Sequence, residues 1–486
     1  MADEEKTTVT AEAEEGKDGG CPVEMYMGGR CGRAIYHAPA GVDNEPVCLM
    51  HSRNPNKDDA EFQAEFERIL REAGEGVADF SGFVFPGAAY AYRELKPYCF
   101  FSWATFMQRA DFRWATFAQD VHFREAKFTQ GADFLRATFT QAADFSEATF
   151  TQAADFREAK FTQGADFLRA TFTQGTDFRW AKFTKAAGFS QATFKEGVNF
   201  RETEFREDEE LLPGPVFVLT RFEKPDAVVF YQTYLGQALF QNCDVSKFTF
   251  SNVRWREREN GKRLVFEELV DLNKGAAGVL RLPEGSPDDR NYALIAELYQ
   301  QLKKNYDDRR DYWTAGDFHY GEMEMKRLSS PRRNKLLRWL HRNLGLVAWY
   351  KYASEYGESY TRPALWMAVV VLLFTLLYPL VGLSPGGKEP KPSAQTVGAE
   401  QPTAQPSISY STFFQFVGRD PRGAASGAKR FFGNSLMTTL GVAFFQRELE
   451  YQPVYPWGRV LQWAELLFTS TLIALFLLAV RRQFRR

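Results

Sequence analysis

The most regular feature of the sequence is a series of phenylalanines between residues 101 and 205. Steps of five and six residues alternate throughout the series, so the underlying unit is an eleven-residue phrase. A small residue, most often alanine, stands two positions before most of these phenylalanines. The series consists of Phe101, Phe106, Phe112, Phe117, Phe123, Phe128, Phe134, Phe139, Phe145, Phe150, Phe156, Phe161, Phe167, Phe172, Phe178, Phe183, Phe189, Phe194, Phe200 and Phe205.

This spacing fits neither a helix nor a long flat strand. A helix needs apolar residues three and four positions apart, and an alternating strand needs a period of two. Here a period of two holds only over the small residue and the phenylalanine that follows it. We therefore predict a coil whose short sides point one small residue and one phenylalanine inward and then turn a corner. Stacked coils would bury columns of rings, each ring contributing roughly 2–3 kcal/mol.

The phrases A-D-F-x-x and A-x-F-x-x resemble pentapeptide repeats, and the resemblance spans residues 101–205. It implies a right-handed, four-sided β-helix with two inward positions on each side. The extra residue in every second unit predicts a wider corner there and a coil made of two eleven-residue phrases. The whole chain is accordingly expected to be of mixed fold class, with this solenoid followed by an α-helical connector and two transmembrane helices.

The repeat pattern extends beyond both ends of the phenylalanine series. Residues 78–85 resemble an opening coil, and an irregular insert occupies residues 206–226. A strict five-residue step then returns at Phe230, Leu235, Phe240, Val245, Phe250 and Trp255. We therefore predict a solenoid over residues 78–260. Its closing stretch makes Cys243 an inward core thiol, and a reactive thiol is the less favoured alternative.

Three of the five cysteines cluster near the N-terminus, together with a histidine, in the spacing C-x9-C-x16-C-x2-H. They are Cys21, Cys31, Cys48 and His51. Three thiolates and an imidazole suit a tetrahedral structural Zn²⁺, which would supply folding energy to a segment rich in glycine and proline. We predict a small zinc-binding-like module over residues 21–57, with His37 as a substitute ligand. Free thiols in a loose arm are the alternative.

The segments that flank this module have simple patterns. Residues 1–20 are acidic and polar, lack a secretory signal and are predicted to form a disordered tail. Residues 58–77 are predicted to form a helical lead-in to the solenoid. Its apolar residues at helical spacing are Phe62, Phe66, Ile69 and Leu70.

Residues 291–345 have the pattern of a helical connector. Y-x-x-L-K-K-x-Y followed by D-Y-x-x-A-G-D-F resembles the helix-turn-helix of one tetratricopeptide-like unit. His319 and Glu322 lie one turn apart and could ligate a metal, although a structural or solvated pair is the commoner outcome. The basic stretch at residues 332–342 contains Trp339 and has the composition of a membrane-surface helix.

Two apolar segments near the C-terminus, residues 364–383 and 460–480, are long enough to cross a bilayer. Basic residues precede the first and follow the second, so the positive-inside rule places both termini in the cytosol. We therefore expect a multi-pass protein of the plasma or inner membrane. Residues 384–427, which begin with a stretch rich in proline, glycine and glutamine, would form an extracytoplasmic linker.

Between these segments, residues 428–445 are apolar but too short to span. This arrangement resembles the pore loop of two-span potassium channels, whose filter reads T-V-G-Y-G. When residues 439–443 are aligned with this filter, Gly441 matches the first glycine. Val442 then replaces the tyrosine, and Ala443 replaces the second glycine. The resemblance implies a tetramer and the pore-loop residues Thr438, Thr439, Leu440, Gly441, Val442 and Ala443.

Charge and motif content exclude several functions. The net charge is −2, and the repeats balance acidic residues with arginine and lysine, so a DNA mimic with a one-sign field is not expected. The sequence contains no recognisable nucleophile–base pair and no phosphate-binding glycine loop, so we do not expect an enzyme. The sequence favours a channel-like membrane protein with a cytosolic repeat domain that senses or recruits a protein partner. The alternative is a non-conducting, membrane-anchored scaffold. We expect the protein to form a homo-oligomer and not to bind nucleic acid.

Overall fold

The computed structural model of the chain describes most of its length. The described residues are 20–207, 212–269, 291–329, 334–385, 408–411, 414, 424–446, 449, 451–453 and 456–484. The predicted acidic tail, apart from its last residue, and most of the predicted linker at residues 384–427 lie outside them. The chain divides into two compact units, which are described separately. The first comprises Met1–Arg309 and Asp317–Glu322, and the second comprises Arg310–Gly316 and Met323–Arg486.

The first unit contains a β-solenoid of about eight turns, built from very short strands in four parallel sheets. One sheet contains Val77–Asp79, Tyr98–Phe100, Val121–His122, Ala143–Asp144, Ala165–Asp166, Ala187–Gly188 and Pro215–Val216. A second contains Val84–Phe85, Thr105–Phe106, Lys127–Phe128, Thr149–Phe150, Thr171–Phe172, Thr193–Phe194 and Arg221–Phe222. A third contains Ala88–Ala89, Ala110–Asp111, Ala132–Asp133, Ala154–Asp155, Thr176–Asp177, Val198–Arg201, Val228–Tyr231 and Thr249–Ser251. The fourth contains Glu94–Leu95, Thr116–Phe117, Thr138–Phe139, Lys160–Phe161 and Lys182–Phe183.

The register of these sheets fixes the length of one turn. Thr149 pairs with Lys127 on one side and with Thr171 on the other, and each step is 22 residues. One turn is therefore two eleven-residue phrases, as the sequence predicts. A four-sided β-solenoid is confirmed.

The interior is a set of phenylalanine columns. Phe150 lies 4.7 Å from Phe128 and 4.8 Å from Phe172, between ring centroids, with the rings within 2° of parallel. These rings and small residues such as Ala126 and Ala148 are fully buried. The prediction that both inward positions face the core is therefore confirmed. Offset stacking of aromatic rings adds specific geometry to the large apolar area that they bury.

Two kinds of corner connect the sides. In the five-residue steps the carbonyl of one phenylalanine accepts from the amide three residues on, as Phe123 does from Ala126 at 3.0 Å. The residue before that amide, here Glu125 with φ of 56°, lies in the left-handed region of a type II turn. The six-residue corners within the described residues 101–205 have no such bond, which agrees with the wider corner expected there.

The prediction that residues 206–226 form an irregular insert is wrong for residues 215–222, which belong to the solenoid. Pro215–Val216 pairs with Ala187–Gly188, and Arg221–Phe222 pairs with Thr193–Phe194. Phe217 stacks on Phe189 at 5.1 Å, so these residues continue the solenoid. The five-residue spacing of Phe217 and Phe222 is the signal that the sequence reading missed.

Helices cover both ends of the solenoid, where unpaired strand edges would otherwise invite association. At the start, α1 (Asp59–Ala73) lies within the predicted lead-in and packs the Phe66 ring 4.6 Å from the Phe80 ring, between centroids. At the end, α2 (Tyr292–Asp308) presents Asn305, whose amide donates to the carbonyls of the last coil. A short antiparallel hairpin of Arg256–Glu257 and Arg263–Leu264 precedes α2.

The connector contains a pair of helices, as its pattern predicts. Helix α2 is followed by α3 (Tyr312–Leu328), and the side chains of Asn291 and Asp311 cap their first turns. Gly321 allows close packing, because a Cβ there would lie 2.4 Å from the Tyr299 ring.

The second unit is helical and contains the two apolar segments. Its helices are α4 (Lys335–Leu344), α5 (Leu346–Ser354), α6 (Thr361–Val381), α7 (Ala424–Ala443) and α8 (Pro456–Phe484). A strand pair of Leu383–Pro385 and Tyr451–Pro453 joins the ends of α6 and α8. Helix α6 and the Trp457–Phe484 part of α8 are long and apolar enough to cross a membrane, with mean hydropathies of 2.4 and 2.0.

Candidate metal centre and the other predicted sites

The four predicted metal ligands come together in the structure. The sulfur atoms of Cys21, Cys31 and Cys48 and a ring nitrogen of His51 all lie within 4.8 Å of one another. The Cys21 and Cys48 side chains are buried, and no disulfide joins the three cysteines. These residues therefore form a Cys3His group that could hold a metal ion.

Local backbone structure accounts for this convergence. Cys21 and Cys31 lie on the two arms of a β-hairpin, in which the Cys21 amide donates to the Arg33 carbonyl and the Cys31 amide donates to the Val23 carbonyl, both at 2.8 Å. Cys48 begins a tight turn, and the amide of His51 donates to the Cys48 carbonyl at 3.1 Å. Hence two ligands come from the hairpin and two from the turn.

The distances match those of a tetrahedral zinc site. With Zn–S bonds of about 2.3 Å and a Zn–N bond of about 2.0–2.1 Å, sulfur atoms lie about 3.8 Å apart and sulfur and nitrogen about 3.6 Å apart. The Cys31 and Cys48 sulfurs are 3.8 Å apart. His51 Nδ1 lies 3.5 Å from the Cys21 sulfur and 3.2 Å from the Cys48 sulfur. The group therefore needs little rearrangement to hold Zn²⁺.

The histidine is held in the tautomer that a metal requires. His51 Nε2 lies 3.0 Å from the carbonyl oxygen of Ser81, to which it donates a hydrogen bond. Nδ1 is then the unprotonated nitrogen, and it faces the three sulfurs. A backbone carbonyl that fixes the outer nitrogen of a ligating histidine is the usual support for a zinc ligand.

The surroundings favour thiolate at Cys31. Its pKa lies far below the ordinary value, at about 3, chiefly because the Cys48 thiol donates a hydrogen bond to it. His51 and Arg33 also lower this pKa, and the Arg33 guanidinium lies 3.1 Å from the sulfur. A deprotonated sulfur is the form that binds metal.

The module that carries the cluster is joined to the first coil of the solenoid. The Val84 amide donates to the Met50 carbonyl at 2.8 Å, next to His51. Lys57 donates to the Leu49 and Ser52 carbonyls, and burial lowers the pKa of its ammonium to about 7. The metal ligands therefore lie directly against the solenoid end.

Alternative metal ligands are not brought to this cluster. His37 is exposed and is not one of the clustered ligands. His319 Nδ1 lies 3.6 Å from a Glu322 oxygen, and Lys303 also approaches Glu322, at 3.4 Å. Among the described residues, the Cys3His group is the only set of three or more such ligand atoms that converges.

The remaining two cysteines belong to the solenoid core. Cys243 is buried, as predicted, and burial raises the pKa of its thiol far above the ordinary range. Cys99 occupies the small-residue position before Phe101, and burial raises its pKa to about 12. Both thiols are therefore poor nucleophiles at neutral pH.

The residues predicted as a pore loop lie at the end of a helix. Thr438–Ala443 belong to the last turns of α7. The carbonyls of Leu440, Gly441 and Val442 accept hydrogen bonds from downstream amides at 2.8–3.1 Å. A selectivity filter needs backbone carbonyls that face the ion. These carbonyls are engaged in helical hydrogen bonds, and a pore-loop role for the segment stays a prediction.

Sequence reading also missed a buried carboxylate. Glu267 is 2 % exposed and accepts a hydrogen bond from the Phe240 amide at 2.5 Å. The pKa of this carboxyl is raised to about 7, chiefly by burial and to a smaller extent by the charge of Glu268. Because its environment comes from residues distant in sequence, no local motif marks this group.

Four parallel sheets of very short strands around phenylalanine columns define the class as a repeat β-solenoid protein. A family model for pentapeptide repeats (9 copies) matches residues 134–179. The chain therefore carries a pentapeptide-repeat β-solenoid domain. The comparisons with curated proteins and with solved structures give no match. No comparison supports a potassium-channel-like domain in the second unit.

Proposed function

We propose that the protein is a non-conducting, membrane-anchored scaffold whose solenoid presents a binding surface to a protein partner. The observation that carries this proposal is a column of exposed aromatic side chains along one corner of the solenoid. The two long apolar helices of the second unit support membrane anchoring. The converging side chains of the Cys3His group support a structural role for a metal.

The aromatic column contains Tyr92 and Trp114, one turn apart. Their rings stack at 6.0 Å, and the Arg136 guanidinium lies 4.4 Å from the Trp114 ring. Tyr92 is 75 % exposed and Trp114 is 42 % exposed. Aromatic residues and arginine dominate the energetics of protein interfaces, so this corner has the composition of a binding surface.

The two aromatic residues occupy the left-handed corner position that every eleven-residue phrase of the solenoid has between residues 92 and 202. Tyr92 and Trp114 have φ of 62° and 59°, in the left-handed region where side chains other than glycine cost roughly 1–2 kcal/mol. Large exposed rings at such positions add little to folding. Their exposed faces are available for contact with a partner.

Lipid is the environment that suits the second unit. Leu380 of α6 and Leu467 of α8 are 68 % and 66 % exposed, and several neighbouring apolar residues are also exposed. The acidic residue of α8 points inward instead, where the Tyr378 hydroxyl donates to Glu465 at 2.5 Å. Apolar side chains outside and a paired acid inside are typical of helices in a bilayer.

A surface helix precedes the first of these two helices. In α4, Leu336 and Trp339 are exposed on a helix that also carries Lys335, Arg338 and Arg342. Such a basic amphipathic helix would lie at the cytosolic lipid surface. This supports the orientation with both termini in the cytosol.

The charges on the solenoid do not favour nucleic acid as a partner. On the third sheet, Asp155 pairs with Arg157 at 2.6 Å and Asp177 pairs with Arg179 at 2.6 Å. Acidic groups neutralised in this way do not create the one-sign field of a duplex mimic.

Crosslinking in native membranes tests the partner surface. We expect Trp114→Ala to reduce crosslinked partner several-fold relative to the wild type. Trp103→Ala is the matched control, because Trp103 is exposed and also has a left-handed backbone, but lies half a turn away at a different corner. Equal crosslinking of the wild type and both variants would contradict the proposed surface.

An ion-flux assay in liposomes tests whether the protein conducts. We expect no flux with the wild type, because the α7 carbonyls are engaged in helical hydrogen bonds. Flux that Gly441→Trp abolishes would support the channel-like function and overturn the scaffold proposal.

Zinc is the metal that we propose for the Cys3His group, in a structural role. Elemental analysis of the purified protein should give about one zinc per chain. Cys48→Ser should lose it, whereas Cys99→Ser should retain it because Cys99 lies in the solenoid core. Equal zinc content in both variants would exclude this site.

A further inference from the structure

A cavity lies between the last coils of the solenoid and α2, within the first unit. Its volume is about 300 Å³. One wall is formed by residues 240–244, another by Glu267, and a third by the face of α2 that carries Leu294, Leu298 and Gln301. Neither the Cys3His group nor the aromatic corner column contributes to it.

Glu267 gives the cavity an unsatisfied acceptor. One oxygen of its carboxylate accepts from the Phe240 amide, and the other is buried without a hydrogen-bond partner. The side-chain oxygen of Gln241 is also buried without a partner. A buried polar atom left unpaired costs roughly 1–3 kcal/mol, so these two oxygens point to a ligand that donates hydrogen bonds.

The rest of the lining is acidic, amidic or apolar. Asp244 and Glu297 are exposed carboxylates at the open side of the cavity. No lysine, arginine or histidine is among the described residues that line it. Apolar surface comes from Phe240, Leu294 and Leu298. The lining therefore suits a ligand with positive charge and an aliphatic body.

A metal ion does not fit this arrangement. Among the described residues, three or more carboxylate, thiol or imidazole ligands converge only at the Cys3His group. A divalent cation needs several oxygen ligands at bonding distance. An organic ammonium instead donates hydrogen bonds to groups that are farther apart, and its methylene groups can contact the leucines.

We propose that this cavity binds a small aliphatic diamine, with one ammonium group on Glu267 and the other toward Asp244 and Glu297. This is a ligand site of the repeat domain and is independent of the scaffold proposal. Charge-assisted hydrogen bonds to the buried carboxylate would provide most of the affinity.

Titration calorimetry on the full chain in detergent tests the site, with 1,5-diaminopentane as the probe. The matched neutral compound, 1,5-pentanediol, has the same chain length without charge. We expect the wild type to bind the diamine and not the diol. Absence of binding at millimolar diamine, or equal binding of the diol, would overturn the proposal.

Two variants locate the binding. Glu267→Gln keeps an acceptor for the Phe240 amide and removes the charge, so it should weaken diamine binding about tenfold or more. Leu294→Trp should block the cavity with the carboxylate intact. Glu259→Gln, at an exposed position outside the lining, should bind as the wild type does. Unchanged affinity in Glu267→Gln or Leu294→Trp would place the diamine elsewhere and refute the assignment.

Discussion

At the scale of single residues, the left-handed corner positions set what the solenoid shows to its surroundings. One residue in each eleven-residue phrase has a positive φ, and none of those between Tyr92 and Glu202 is glycine. The chain places tryptophan, glutamate, arginine and glutamine there instead. Each such residue costs backbone energy, yet it projects a side chain at a regular interval along the corner. The corners are therefore the positions at which surface chemistry can vary without disturbing the core.

Glu267 leads to a prediction on pH. Its folded-state pKa of about 7 lies above the ordinary value of 4.5, so the folded state holds the proton more tightly than the unfolded state. The stabilisation from the protonated carboxyl is therefore complete below about pH 4.5 and is lost as pH rises through about 7. The loss in the free energy of unfolding is about 3 kcal/mol. Glu267→Gln should therefore raise the local opening free energy at pH 8 and change it little at pH 4.5.

Hydrogen exchange of the Phe240 amide, which donates to Glu267, measures that opening energy. Intrinsic exchange rates at each pH provide the correction. The measured quantity is the difference in opening free energy between the wild type and Glu267→Gln. If this difference is the same at pH 4.5 and pH 8, the carboxyl does not titrate in this range.

Residue-level sequence reading succeeded where chemistry and spacing were local. Three cysteines and a histidine were recognisable as a candidate ligand set from their residue types, and the structure brings the four side chains together. Glu267 was not recognisable, because its partner amide at Phe240 lies 27 residues away. Burial of this carboxylate has no signature in the residues next to it in sequence.

At the scale of elements, the solenoid depends on contacts between successive turns. Phe150 contacts the ring below and the ring above, and the Thr171 amide donates to the Ala148 carbonyl one turn back. Each turn therefore stabilises only its neighbours, as in other repeat proteins. The end helices protect the first and last turns, which have one neighbour each.

Removing one ring from a column should be costly. Phe150→Ala leaves a cavity between two turns and should reduce the free energy of unfolding by about 3–5 kcal/mol. Thr151→Ala, at the adjacent exposed position, should change it by less than about 0.5 kcal/mol. Denaturant titration followed by circular dichroism measures both. Similar values for the two variants would argue against a tightly packed phenylalanine column.

Metal removal should loosen one end of the solenoid only. Chelation of the zinc that we propose for the Cys3His group would release its four ligands, and the turn carrying His51 would no longer hold the Met50 carbonyl against the Val84 amide. Hydrogen exchange at Val84 should accelerate by tenfold or more, since about 1.4 kcal/mol corresponds to a factor of ten.

The Thr171 amide, several turns away, provides the internal control and should keep its exchange rate. Equal acceleration at Val84 and Thr171 would mean that the metal stabilises the whole domain. No change at either amide would mean that it stabilises neither.

Elements with a strong period were predictable, and a short apolar segment was not. The eleven-residue phrase specified the turn length because every turn repeats the same inward pair. Residues 438–443 were aligned with a filter on a few matching letters, yet they continue α7. A short apolar run does not by itself distinguish a helix from an extended loop.

At the scale of the whole molecule, each unit suits a different solvent. The solenoid has a mixed-charge surface with paired aspartates and arginines. The second unit has leucine-rich outer surfaces on α6 and α8. A chain with both surfaces fits a position at a membrane interface, with the repeat domain in water.

Topology can be checked with a thiol reagent that does not cross membranes. Ser393→Cys, in the predicted extracytoplasmic linker, should react in intact cells. Glu94→Cys, at an exposed position of the solenoid, should react only after permeabilisation. The five native cysteines provide a low background, since all are expected on the cytosolic side. The opposite labelling pattern would reverse the orientation.

The 22-residue turn constrains how such a gene can change length. Duplicating or deleting 22 codons inside the regular region would add or remove one complete turn, about 4.8 Å, and would return every flanking strand to its own sheet. An eleven-codon change would keep the aromatic interior but shift the downstream strands to the opposite side. Spacing between the two end caps can therefore be adjusted in whole units without redesign of the core.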